Sequence, residues 1–296
     1  MKRIFFLLFT LLLLSGCVQT EPPATIAATT LPVYEFTSRL CEGTPLTVTR
    51  LVTEEVSCLH DYSLNVRQVK AAEAAETIVI SGAGLEAFME DLLLDKQTID
   101  ASHEIPLVCP EEGHEHAHSH EHDHGHEGHH HENDPHIWLS PANAQRMVEN
   151  ICAGLSHQYP QYHEILNNNA AQLIAELDAL NTYGQETLRE LSCRELITFH
   201  DGFAYFAEGF GLTILEAVEE ESGSEASAKE LIHLIEEVEH HALPAIFTEK
   251  SGSVSAASII ARETGCNAYA LDMAMAGDSY FHAMYHNIDT IKEALG

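Results

Sequence analysis

Basic residues are scarce in this chain. Fourteen Lys and Arg stand against 46 Asp and Glu, a formal net charge of −32 over 296 residues. That deficit excludes the electrostatic footprint of a nucleic-acid-binding protein or of a module that rests on anionic lipid. It suits cations. A membrane-spanning run is also lacking: the near-unbroken apolar stretch from Ile4 to Leu14 is too short to cross a bilayer comfortably. GxSxG, a common hydrolase signature, is missing, and the HExxH spacing occurs only inside the low-complexity histidine tract, at His114–His118, His120–His124 and His126–His130, with no helical apolar pattern around it to build a zincin site. There is no CxxC, and the cysteines other than Cys17 are widely spaced, which excludes a cysteine-based zinc knuckle. These are Cys41, Cys58, Cys109, Cys152, Cys193 and Cys266, and in an extracytoplasmic protein their even number predicts disulfides, in any of roughly 15 pairings.

What is present begins at the N-terminus. Lys2 and Arg3 precede the apolar stretch, which ends in "LSGC" and a polar tether, "VQTEPPAT". The whole has the form of a secretory signal, and "LSGC" resembles the bacterial lipoprotein box. Residues 1–16 are then a signal peptide, Cys17 the lipid-modified residue and 17–25 the tether. Such a lipid holds a protein at the outer face of the cytoplasmic membrane, at a cell surface or in a periplasm, without a spanning helix.

Beyond the tether, short β-rich runs alternate with helical ones. "TIAATT", "LTVTRLV" and "TIVISGA" read as strands, with "VYEFTSRLCEG", "NVRQVKAAEAA" and "LEAFMEDLLL" as the helices between and after them. The alternation returns late, with strands "ELITF", "LTILEAV", "AIFTE" and "NAYALD" separated by helices. Strands this short and apolar, spaced by helices, predict parallel sheets covered on both faces. The fold class is α/β, with two lobes at 26–158 and 193–296. Between them, 159–192 keeps Leu166, Leu173, Leu177, Leu180, Leu188 and Leu191 at helical spacing with no internal proline after Pro160. One unbroken helix here would be on the order of 45 Å long, a rigid link between lobes; a break near Asn181 to Gly184 is the alternative.

Residues 111–133 are a low-complexity insertion of His, Glu, Asp and Gly. Ten histidines lie in it: His114, His116, His118, His120, His122, His124, His126, His129, His130 and His131. This composition cannot build a core and predicts a mobile loop. Its imidazoles form an accessory metal-collecting tract, or else only a solvated loop.

Imidazole suits borderline-soft divalent metals, and in α/β lobes ligands come from loops at the carboxyl ends of strands. Those loops carry His60 in "CLHDYS", His136 in "NDPHIWLSP", His200 at the end of "ELITFH", and Asp272 and Asp278 after "NAYALD". A metal held among them bridges the two lobes.

Four blocks, "CLHDYSLNVRQVKAAEAAETIVISGAGLE", "NDPHIWLSPANAQRM", "ITFHDGFAYFAEGFGL" and "GDSYFHAMYHNIDTIKEAL", follow in this order. They resemble the successive motifs of the zinc and manganese solute-binding proteins of ABC importers, over nearly all of the chain after the tether. The resemblance implies two α/β lobes joined by one long helix, metal in the cleft, and a membrane permease as partner. It implies His60, His136, His200 and Asp278 as ligands, Asp278 being preferred to Asp272 because it opens the "GDSYF" block. One departure is Cys58-Leu59, where many of those proteins have Asp-Pro. Three imidazoles and one carboxylate favour Zn2+ over Mn2+. The expectation is a monomeric, lipid-anchored zinc receptor and no enzyme; a manganese or iron receptor, a three-histidine zinc hydrolase, and a metal-sequestering or adhesive surface protein are the alternatives. Because imidazole ligands must be neutral, metal affinity is expected to fall as pH drops through about 6.5. Competition titrations between neutral and mildly acidic pH check this, and a flat response would refute imidazole ligation.

Overall fold

The computed structural model describes residues 25–56, 59, 62–108, 133–218, 226–250, 252 and 254–296. Strands β1 (Thr25–Ala28), β2 (Thr47–Arg50), β3 (Thr77–Ile80) and β4 (Gln97–Asp100) form one four-stranded sheet in the order β2-β1-β3-β4, parallel throughout. The central strand β1 pairs Ile26 with Val48 on one side and with Thr77 on the other. Helices α1 (Leu31–Leu40), α2 (Val66–Ala74) and the short α3 (Glu90–Leu93) make the crossovers. Local chemistry sets the start of α2: Asn65 Oδ1 accepts from the Arg67 and Gln68 amides, and Gln68 Oε1 accepts from the Asn65 amide. This reciprocal cap satisfies amides that the first helical turn leaves unpaired.

Two antiparallel helices follow, α4 (Pro141–Gln158) and α5 (His163–Thr187). Ser140 caps α4, and Pro141 takes the first helical position, where its missing N–H costs nothing. The second lobe then repeats the first. Strands β5 (Glu195–Thr198), β6 (Thr213–Ala217), β7 (Ala245–Glu249) and β8 (Asn267–Leu271) form a parallel sheet in the order β6-β5-β7-β8. Helices α6 (Ala204–Phe210), α7 (Ala228–His240) and α8 (Ser255–Thr264) connect its strands, and α9 (Tyr280–Leu295) closes the chain by returning to α5. Among the described residues, no helix is long and apolar enough to cross a membrane.

The expected fold class is therefore observed, with two differences of extent. First, β4 was not expected; its sequence QTID buries only Ile99, so the strand carries almost no apolar pattern. Second, the expected single link between lobes is one arm of a helical pair. α5 runs 25 residues without a break at Gly184. It lies against α4, whose stripe of Ala144, Met147, Val148, Ile151, Cys152 and Leu155 is buried. The disulfide expectation fails where it can be examined: Cys41, Cys152, Cys193 and Cys266 are free thiols. Cys41 sits in apolar packing, and burial pushes its thiol up to about 12. Cys17, Cys58 and Cys109 lie outside the described residues.

The largest apolar cluster among the described residues spans both lobes, with smaller clusters around Ile197, Ile246 and Ile260 in the second lobe and around Ala27, Ile78 and Met89 in the first. The largest cluster joins Ile26 and Val79 of the first sheet, Leu166, Leu173, Leu177 and Leu180 of α5, and Phe247 and Leu271 of the second sheet. Trp138 and Tyr280 are its largest wholly buried side chains. The absence of a side chain at Gly184 is part of this packing: a Cβ there would lie 2.2 Å from Cε1 of Phe210. Gly184→Ala is therefore expected to lower stability by about 1–3 kcal/mol through overpacking, despite alanine's better helix propensity. Urea unfolding of the variant measures this, and a gain in stability would show that α6 yields easily.

Candidate metal centre

Both sheets change winding direction once. In the first lobe the switch falls between β1 and β3, in the second between β5 and β7. Crevices open at the carboxyl ends of strands at such points. In the second lobe, His200 follows β5 and Glu249 ends β7, so the two straddle the switch. Glu249 Oε1 lies 2.9 Å from His200 Nδ1. In the first lobe the corresponding place holds Glu86, which accepts from Thr29 Oγ1 at 2.6 Å, the Ser81 amide at 2.7 Å and the Gly82 amide at 3.0 Å. Burial pushes the Glu86 carboxyl up to about 7, against those hydrogen bonds. It is a tie between the ends of β1 and β3, and leaves the ligand role to other side chains.

His136 reaches the same crevice from the segment ahead of α4. It is 1 % exposed. Asp134 Oδ1 accepts from its backbone amide at 2.9 Å and lies 2.7 Å from its Nδ1. The two imidazoles thus share a design: each turns Nδ1 to a buried carboxylate and Nε2 inward. A carboxylate at Nδ1 fixes the proton there and leaves Nε2 as a lone-pair donor, the outer arrangement of metal-bound histidines. The two Nε2 atoms are 3.4 Å apart. Two nitrogens at about 2.0–2.1 Å from a tetrahedral zinc would be separated by about 3.3–3.4 Å. Asp134 and Glu249 are 6 % and 4 % exposed, and carboxylates buried this far demand compensating positive charge. Burial works to lower the His200 pKa, but Glu249 beside it, with Asp201 and Asp134 farther off, outweighs burial, and the net shift is upward.

The surroundings hold the pair in place. Trp138 lies edge-on to His136 with ring centroids 5.4 Å apart, and its Nε1 donates to Met273 O at 2.8 Å. Tyr280 Oη in turn donates to Trp138 O at 2.8 Å. Gly202 leaves the room the rings occupy: a Cβ there would lie 2.6 Å from His200 Cδ2, 2.7 Å from Met273 Cε and 2.9 Å from His136 Nδ1. Motif-based reading did not single out Gly202, Asp134 or Glu249. The spacing Asp134-Pro135-His136 offered a cue for Asp134; nothing local links Glu249 to His200, 49 positions earlier.

The structure separates the two candidate aspartates. Asp278 is exposed, and its charge acts on Arg50. Asp272 is mostly shielded. Its Oδ1 accepts from the Ala274 amide at 2.8 Å and its Oδ2 lies 3.3 Å from Lys250 Nζ. It lines a cavity of about 20 Å3 with Val56, Glu249, Met273 and Met275, a volume for one water-sized body. His60 and the ten histidines from His114 to His131 lie outside the described residues. Among the described residues, no group of three or more His, Cys, Asp or Glu side chains converges on one point. Of the four candidate ligands, the described residues bring together His136 and His200.

Both ends of the histidine-rich insertion are fixed beside this pair. The Asp134 amide donates to Val108 O at 2.9 Å. Tyr205 Oη accepts from the Val108 amide at 3.0 Å and donates to Asp134 O at 2.9 Å. The insertion therefore leaves and rejoins the fold at the residue that orients His136.

The family model described as zinc-uptake complex component A, periplasmic, matches residues 26–294. The zinc-binding lipoprotein AdcA of Streptococcus pneumoniae is 32% identical over 316 aligned positions, covering 99% of this chain but 61% of that protein. The chain thus spans about three fifths of the length of this curated relative. A crystal structure of ZnuA superposes with a TM-score of 0.77 at 27% identity, covering 93% of this chain and all of the other. The Zn(II)-bound ZnuA-like domain of Streptococcus pneumoniae AdcA superposes with a TM-score of 0.76 at 28% identity, covering 92% of this chain and 99% of that one.

Gly202→Ala is expected to weaken metal binding by about 10–100-fold, the range for disturbing a ligand's outer support, with every candidate ligand intact. Since Trp138 is the chain's one tryptophan, its fluorescence reports the titration directly. Affinity equal to wild type in the variant would show that the two rings are not held at their observed spacing when metal binds.

Proposed function

The chain belongs to the family of periplasmic zinc-uptake components, and on that premise we propose that it captures Zn2+ between its lobes and passes it to a membrane permease of an ABC importer. The observation that carries this is the facing pair of Nε2 atoms, 3.4 Å apart, each ring backed by a buried carboxylate. His60 completes a set of three imidazoles, and a carboxylate from the loop after β8 supplies the fourth ligand. The "GDSYF" motif favours Asp278 for that place; the shielded position of Asp272, in the ion-sized cavity beside Glu249, favours Asp272. Asp272→Ala and Asp278→Ala, titrated side by side, separate them.

Three imidazoles and one carboxylate match zinc better than manganese by ligand type, and the curated relative named above is zinc-binding. Four protein ligands leave no open position for a reactive water, which sets a receptor apart from a zinc hydrolase. A lipid on Cys17 would hold the protein outside the cytoplasmic membrane as a monomer, with the outer faces of its lobes presented to the permease. The anchoring of Val108 and Asp134 beside His136 supports an accessory role for the insertion, because imidazoles tethered there raise the local zinc concentration at the centre.

The test is metal content and competition titration on a soluble form that starts after Cys17 and lacks 111–133. One tight zinc per chain is expected. His200→Ala should lose more affinity than the roughly 10–100-fold typical of removing an outer partner such as Glu249. If the shortened form binds no zinc tightly, the insertion itself is the binding device and the cleft reading falls.

A further inference from the structure

Arg50 is the last residue of β2, at the carboxyl end of the first sheet, where the loop carrying His60 begins. Its guanidinium donates to three main-chain carbonyls. Nε donates to Val52 O at 2.6 Å, within its own loop. Nη2 donates to Met275 O at 2.7 Å and Nη1 to Gly277 O at 2.9 Å, both in the loop between β8 and α9 of the other lobe. One planar group thus holds the loop that leads to His60 and the loop that contains Asp272 and Asp278.

The second of these loops is fixed at both ends by other groups. At its start, the Asp272 amide donates to Asn287 Oδ1 at 2.7 Å, and Asn287 Nδ2 donates back to Asp272 O at 2.7 Å. At its end, Glu35 of α1 accepts from the Tyr280 amide at 2.6 Å and from Ser279 Oγ at 3.3 Å. Between these ends the backbone takes positive φ at Ala274 (55°) and Gly277 (86°). Arg50 grips the middle, from across the cleft. Burial lowers the guanidinium's pKa, with Tyr34, Asp278 and Glu54 acting in the opposite direction, and arginine stays charged throughout the working pH range. The three donors point along fixed directions of one fork, so a lysine cannot reproduce the set.

We propose that Arg50 is a positioning residue that ties the His60 loop to the loop of Asp272 and Asp278, and thereby sets how fast metal leaves the cleft. This rests on the reading that the cleft holds the metal. A ligand carried on the second loop can withdraw only as that loop moves away from the first lobe, and this movement breaks two charge-assisted hydrogen bonds to Arg50. Entry retraces the same path, so the residue slows association as well as release.

The test is stopped-flow zinc release into excess chelator, with association measured alongside, for wild type, Arg50→Ala and Arg50→Lys. Arg39→Ala serves as the control: Arg39 pairs with Glu176 on α5, and so ties α1 to the spine. Release from Arg50→Ala should quicken about tenfold or more, the equivalent of one lost hydrogen bond to a charged group. Arg50→Lys should shift the same way and by less, and it keeps the stem and charge if the alanine variant does not fold. Association should quicken in the Arg50 variants as well, while both rates in Arg39→Ala should stay within about twofold of wild type. Amide exchange in the metal-free protein should quicken at 273–278 in the Arg50 variants. If release is unchanged in the Arg50 variants while each still binds one tight zinc, the positioning role is overturned and the cleft reading stands. If wild type binds no tight zinc in the cleft, or His200→Ala retains it, the reading and the proposal fall together.

Discussion

The centre depends on one electrostatic constraint: two buried imidazoles must turn their lone pairs toward each other. Left alone, such a pair repels or takes up a proton. Here each ring is held by a carboxylate at its far nitrogen, Asp134 for His136 and Glu249 for His200. Those carboxylates are themselves buried, which favours a cation between the rings. The fold supplies rigidity to bear this. His200 follows β5 and Glu249 ends the adjacent parallel strand β7, and His136 leads into a helix whose start is fixed by Ser140 and Pro141. Trp138 and Gly202 complete the wall, one by filling space and the other by leaving it.

Much of this was legible in the sequence, for reasons that differ by element. The α/β alternation reads clearly because the central strands are apolar and short, and helices such as α2 carry their own caps. β4 does not read, because an edge strand with one buried residue has no pattern to show. The spine reads as one helix because leucines recur on its buried face; Gly184 looks like a weak point, yet it marks a close approach by Phe210. Of the two histidines that face each other, His200 reads from its place after a strand and His136 from its motif. Glu249 does not, because its partnership with His200 exists only once β5 and β7 are paired. The choice between Asp272 and Asp278 shows the limit of motif position, since six residues along a loop separate a shielded carboxylate from an exposed one. The cysteine count misled for a physical reason: a thiol packs as a small apolar group, and an even number carries no information about distance.

On the proposed reading, the continuity of the core bears on how metal leaves. Two lobes with separate cores could hinge apart at modest cost. Here the apolar cluster passes from the first sheet through α4 and α5 into the second, so wide opening would expose packed surface along the whole joint. Movement of the loops at the strand ends involves far less. The small cavity lined by Val56, Asp272 and Met275 lies among such loops, and its size suits an ion rather than an organic substrate.

The three-way contact among Val108, Asp134 and Tyr205 has an evolutionary meaning. It closes the base of the insertion independently of what the insertion contains. Closing a longer loop costs little more than closing a short one, about 0.6 kcal/mol per doubling of length. Replication slippage that lengthens or shortens a repetitive histidine codon tract therefore leaves the geometry at His136 untouched. The tract can thus change in length without a change in the contacts that orient His136.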